Sequence, residues 1–76
     1  MPKLVPITPK KLVKLLMALG FEERDAEGSH LFFKHPDGRT TTVAMKSSEI
    51  SRGLLHKILN DIDLSRDEYE HLRRKL

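Results

Sequence analysis

The sequence predicts a two-layer α+β sandwich: an antiparallel three-stranded sheet with helices on one face, in the order helix, three strands, helix and a short extra C-terminal helix. Three observations predict it. Leu12, Leu15, Leu16 and Leu19 recur at helical spacing near the start, and Leu54, Leu55, Ile58, Leu59 and Ile62 do so later. Between these stripes lie three short runs divided by turn signals at Glu27-Gly28-Ser29 and His35-Pro36-Asp37-Gly38-Arg39. Strands joined by turns this short pair antiparallel, and the two apolar stripes then cover one face of the sheet.

Each element has a local reason. Thr8 supplies a hydroxyl N-cap and Pro9 a favoured first helical residue, so the first helix is predicted over Thr8 to Leu19, with Gly20 ready for a left-handed C-terminal position. Its other face carries Lys10, Lys11 and Lys14. Phe21 to Asp25 is predicted as the first strand, although Glu22, Glu23 and Arg24 form strands weakly. His30 to His35 is the second, centred on Leu31, Phe32 and Phe33. Thr40 to Met45, rich in threonine and valine, is the third. Ser51 opens the second helix, with Gly53 in its first turn. Ser65 and Glu68 match a capping box, predicting a third helix that Tyr69 and Leu72 dock onto the rest. Residues 1–76 are read as one domain, with 1–6 an N-terminal arm and 74–76 a C-terminal tail.

Composition narrows the function. A 76-residue chain buries only about 60% of the surface its unfolded form exposes, so any site must be built from a few surface side chains. Fourteen Lys and Arg against eleven Asp and Glu leave a formal charge of +3, which favours an acidic partner such as nucleic acid. There is no cysteine, which excludes disulfides and thiolate metal sites. No apolar run is long enough to span a membrane, and the first nine residues lack the apolar stretch of a signal peptide. A cytoplasmic location is the expectation.

Four histidines, His30, His35, His56 and His71, are the main candidates for acid–base chemistry. Their spacing matches no zinc pattern, and no Asp-rich loop, phosphate-binding glycine loop or serine-nucleophile motif accompanies them. No metal and no cofactor are expected. His35 reads as turn chemistry before Pro36, and His56 and His71 as surface helix residues. Adjacent Phe32 and Phe33 could form a platform that stacks RNA bases, but Phe33 reads as core, and Phe32, on the opposite side of the strand, is left open as a partner contact.

Gly28-Ser29-His30 opening a strand, then Phe33-Lys34-His35-Pro36-Asp37-Gly38-Arg39, then Thr42-Val43, then Ile50-Ser51-Arg52-Gly53-Leu54-Leu55 and Ile58-Leu59, resembles the HicA toxins of HicA–HicB toxin–antitoxin systems. The resemblance runs from about Pro6 to Leu72. It implies a fold like that of double-stranded-RNA-binding domains, metal-independent cleavage of messenger RNA (mRNA) that blocks translation, and a HicB-like antitoxin as partner. It maps the family's catalytic histidine onto His30. Ser29, Lys34, Lys46 and Lys11 are candidate RNA-binding or supporting residues on chemical grounds alone. The chain departs from the family pattern after the third strand. Where many relatives read Val-Pro-x-His, it has Val43-Ala44-Met45-Lys46, so a lysine replaces the second histidine. A non-catalytic RNA-binding or antitoxin-binding module on the same fold is the competing expectation.

Overall fold

A computed structural model describes residues 5–46 and 48–75, the side chains of Asp25 and Ala26 excepted. The elements are α1 (Pro9–Ala18), β1 (Glu22–Glu27), β2 (His30–Lys34), β3 (Thr40–Ala44), α2 (Arg52–Asp61) and α3 (Arg66–Arg74). This is the predicted α+β order, with the sheet antiparallel in the order β1-β2-β3. Of the expected N-terminal arm only Val5 and Pro6 are described, and Leu76 of the expected tail lies outside the described residues. Among the described residues, no helix is long and apolar enough to cross a membrane.

The helix ends follow from their capping residues. Thr8 Oγ1 accepts the Lys11 N–H at 3.3 Å, and Ser51 Oγ accepts that of Leu54 at 3.4 Å. Ser65 Oγ accepts the Glu68 N–H at 3.1 Å, while its hydroxyl donates to the Glu68 carboxylate at 3.1 Å. At the end of α1, Phe21 N–H bonds Leu16 O and Gly20 N–H bonds Met17 O, a Schellman pair with Gly20 at φ +94°. The end of α2 repeats the pattern with a residue not foreseen for it. Leu64 N–H bonds Leu59 O and Asp63 N–H bonds Asn60 O, with Asp63 left-handed at φ 55°.

β1 differs from its prediction. It starts one residue later and continues to Glu27, where Ala26 pairs with Leu31 and Glu27 with His30. The register shifts between Glu23 and Ala26, a bulge that fits the extra length into an edge strand of mostly charged residues. The β1–β2 turn is therefore only Gly28-Ser29, with Gly28 at φ +61° in the first central position, where a type II′ hairpin needs glycine.

One face of the sheet is buried. Phe33, Val43 and Thr41 point into a core completed by Leu12, Leu15 and Leu16 of α1, Leu55, Ile58 and Leu59 of α2, and Tyr69 of α3. Leu54, expected on the buried stripe of α2, is 38% exposed. It lies in the first turn, at the edge of that stripe. Among the described residues, helices cover this side alone and the opposite face of the sheet is open: His30, Phe32, Lys34, Thr40 and Thr42 are all exposed there.

His35 locks the sheet to the first helix at one end. Its Nε2 lies 3.2 Å from Leu19 O, at the end of α1, and its Nδ1 accepts the Asp37 N–H at 3.1 Å. A carbonyl only accepts, so Nε2 carries a proton, and Nδ1 also lies 3.0 Å from Asp37 Oδ1. The ring meets Phe21 edge-on, with centroids 5.0 Å apart. A Cβ on Gly20 would sit 3.2 Å from His35 Nε2, so the close approach and the positive φ both call for glycine there. Beside it Arg39 lies over the Phe21 ring, 5.3 Å from its centroid, donates from Nε to Asp37 at 2.7 Å and donates from Nη1 to Ile62 O at the end of α2. His35 is thus the turn residue the sequence suggested, and it also holds the end of α1.

His35→Ala removes two hydrogen bonds and an aromatic contact, an expected loss of about 2 kcal/mol, and lowers Tm by about 10 °C in a domain of this size. An unchanged Tm by calorimetry would show that the clamp carries no stability.

Asp37 is held below the usual aspartate range, first by the Arg39 backbone N–H and then by the Arg39 guanidinium and His35. Its charge stabilises the fold fully above that range, and the contribution disappears as pH falls towards the lowered folded-state value. The Tm gap between the native chain and Asp37→Asn is expected to be full at neutral pH and to close in acid; a gap that persists unchanged in strong acid contradicts this.

Tyr69 is fully buried and donates its hydroxyl to Val5 O at 2.5 Å. Burial pushes its phenol from 10.0 up to about 12. Its contribution is complete below pH 10 and is lost between there and about 12. The chain has one tyrosine and no tryptophan, so ultraviolet absorbance follows this group alone. Phenolate is expected to appear only together with loss of helical circular dichroism. Phenolate forming near pH 10 with the helices intact would place the ring outside the core.

Candidate active site

The end of the sheet opposite the His35 clamp carries three of the residues singled out for chemistry, Ser29, His30 and Lys46. His30 opens β2 directly after the Gly28-Ser29 turn, and strand alternation sends its side chain to the open face. It is exposed, and its neighbour across β3 is the small Ala44. Met45 N–H donates to Ser29 O at 2.7 Å, extending the β2–β3 ladder by one pair beyond His30 and Ala44. That bond brings the chain leaving β3, with exposed Lys46 as the next residue, to the turn that presents Ser29 and His30. The turn that carries Ser29 and His30 and the segment that carries Lys46 therefore meet at one corner.

Lys34 and Lys11 stand apart from this corner. Lys34 shares the open face with His30 but lies four residues along β2, roughly 13 Å away at about 3.3 Å per residue. Lys11 lies in the first turn of α1, whose leucines pack against the covered face, so it sits in the helical layer behind the sheet. The structure does not bring it to the open face with His30.

Glu27 is absent from the sequence-derived candidates because it reads there as part of the turn. It pairs with His30 across the β1–β2 ladder, its side chain exposed on the same face. Directly paired residues hold their Cβ atoms about 4.5–5.5 Å apart. The signal for it was present: Glu-Gly-Ser-His with glycine at the first central position is a two-residue hairpin, which makes Glu27 the partner of His30.

The corner can do general acid–base chemistry on an open surface. Imidazole and carboxylate stand side by side, with an ammonium group on the neighbouring loop to meet an anion. Among the described residues, no three or more His, Asp or Glu side chains are grouped to hold a metal ion.

Comparison with known proteins identifies the family. The family model describing HicA toxins of bacterial toxin–antitoxin systems matches residues 9–64. The match runs from the first residue of α1 to just beyond α2, spans most of the 76 residues, and contains His30, Glu27 and Lys46; α3 lies outside it. No curated protein matches the chain. On the extent of the family match, the chain belongs to the HicA toxin family of bacterial toxin–antitoxin systems.

Proposed function

We propose that this toxin is a metal-independent endoribonuclease that cleaves mRNA in the cytoplasm, with His30 transferring protons, and that a HicB-like antitoxin restrains it. The observation that carries the reading is the exposed His30 at the hairpin corner, with Ser29 and Lys46 drawn to the same corner by the 2.7 Å bond from Met45 N–H to Ser29 O.

RNA suits so sparse a site because it supplies its own nucleophile. One group removes the 2′-hydroxyl proton, the 2′-oxygen bonds to phosphorus, the bond to the 5′-oxygen breaks, and a second group protonates that oxygen. The products are a 2′,3′-cyclic phosphate and a 5′-hydroxyl. His30 and Glu27 are the two proton carriers, as donor and acceptor. Lys46, in the position of the family's second histidine, offers an ammonium group that offsets charge on the phosphate. Ser29 bonds a phosphate oxygen or steadies the imidazole. A positioned acid or base contributes about 10²–10⁴-fold in rate.

The test is induced expression of the native chain and of His30→Ala at matched soluble levels. The native chain is expected to arrest growth and fragment mRNA, and His30→Ala to do neither while keeping its Tm, since truncating an exposed strand-end side chain costs about 1 kcal/mol or less. Glu27→Gln is expected to slow cleavage without abolishing it. Equal toxicity of the native and His30→Ala chains, or harmlessness of both, overturns the ribonuclease reading.

A further inference from the structure

The open face of the sheet continues beyond the His30 corner, and its arrangement names a ligand. His30, Phe32 and Lys34 alternate onto that face from one strand, at intervals of about 6.6 Å. Phe32 is 37% exposed, whereas its neighbour Phe33 is wholly buried. Thr42 stands directly across from Phe32, and Thr40 across from Lys34. The bonds from His35 N–H to Arg39 O and from Met45 N–H to Ser29 O set the alternation of the ladder. They make Phe32–Thr42 and Lys34–Thr40 close, non-hydrogen-bonded pairs, about 4.5 Å apart at Cα. A ring in the middle of the face is thus flanked by hydroxyls on one side and followed by an ammonium group along the strand.

We infer that this face is a binding track for single-stranded RNA, with Phe32 stacking a base next to the cleaved phosphate and Lys34 holding the backbone beyond it. The inference rests on the ribonuclease reading for its starting point at His30. Charge sets the path. On the β1 side the face is rimmed by Glu22 and Glu27, opposite Lys34 and His30, which repel a phosphate backbone. On the β3 side Thr40, Thr42 and Ala44 carry no charge. Lys46 stands at one end; at the other, Lys34 and Arg24 line a hollow with Glu22, His35 and Pro36, Glu22 lying 3.6 Å from the Arg24 guanidinium and leaving Lys34 as the cation of that end for the backbone. The backbone therefore runs over β2 and β3, from Lys46 past Phe32 to Lys34. Stacking on an exposed sheet aromatic suits unpaired bases, whose faces a duplex hides.

The test uses the full chain carrying His30→Ala, so that RNA is bound and not cut, and a fluorescein-labelled single-stranded RNA pool of random sequence read by anisotropy. Adding Phe32→Ala is expected to weaken binding roughly fivefold to a hundredfold, the range for losing one stacked base. Phe32→Trp is expected to restore it. Lys34→Gln is expected to weaken binding and lower the salt-dependence slope by about 0.7, the decrement for one fewer phosphate neutralised on a single strand. In the cleaving chain Phe32→Ala raises KM more than it lowers kcat.

Native-like RNA affinity in Phe32→Ala, with the fold verified by circular dichroism, overturns the track. So does equal affinity of Phe32→Leu and Phe32→Trp, or a variant that keeps RNA binding and loses only its antitoxin. Failure of the ribonuclease reading looks different: RNA is bound through Phe32, but the native chain cuts nothing.

Discussion

β2 pairs with β3 over five consecutive residues, from His30 opposite Ala44 to Lys34 opposite Thr40. The rest of the structure depends on that register. Side chains on a strand alternate between faces, so a slip of one residue would turn Phe33 out to water and bring His30, Phe32 and Lys34 into the core. The register is pinned at both ends, by Met45 N–H on Ser29 O at one and His35 N–H on Arg39 O at the other. It is pinned from the side by the mismatch of the two faces. Phe33 and Val43 are fully buried, and two residues of that size on the open face would forfeit their burial.

The two ends of the sheet divide the work. At the His35 end, side-chain hydrogen bonds reach the last carbonyls of both main helices, Leu19 O through His35 and Ile62 O through Arg39. At the His30 end the chain is exposed and tied mainly through backbone. Elsewhere Ile50 N–H bonds Ile7 O, joining the segments that lead into α1 and α2. The two histidines thus serve opposite ends of β2. The imidazole of His35 is committed on both nitrogens to holding the fold, while that of His30 is exposed. The exposed His30 corner thus lies away from the side-chain contacts that hold the two main helices.

The third helix shows how the small core is completed. α3 lies outside the family match, yet its Tyr69 is as fully buried as any core leucine. Its hydroxyl bonds the carbonyl of Val5, 64 residues earlier, so the last helix fastens the segment leading into the first. Glu70 holds Arg73 through two bonds of 2.8 Å along the outside of the same helix.

Much of this was legible in the sequence because it is local. Thr8, Ser51 and Ser65 cap helices through their own side chains, and Gly20 ends α1 because a Cβ would be strained there. Leucine spacing marks one face of α1, and Pro36 and Gly38 set their turn whatever lies around them. The His30 corner was legible only through its resemblance to a family; an isolated strand-end histidine carries no such signal. What the tertiary structure decided was pairing. Glu22, Glu23 and Arg24 form strands poorly alone, yet β1 runs on to Glu27 because β2 lies beside it to satisfy its backbone, and this sets Glu27 against His30. Asp63 takes a left-handed conformation because α2 has to end in a bonded pair of carbonyls there. Whether Lys11, Lys34 and Lys46 share a surface was likewise not written in their spacing: two stand on one face of the sheet and its corner, and the third lies in the layer behind. Capping and periodicity act over a few residues and can be read in order along the chain, whereas register and layer order are settled by segments far apart in sequence competing for the same buried surface and the same hydrogen bonds.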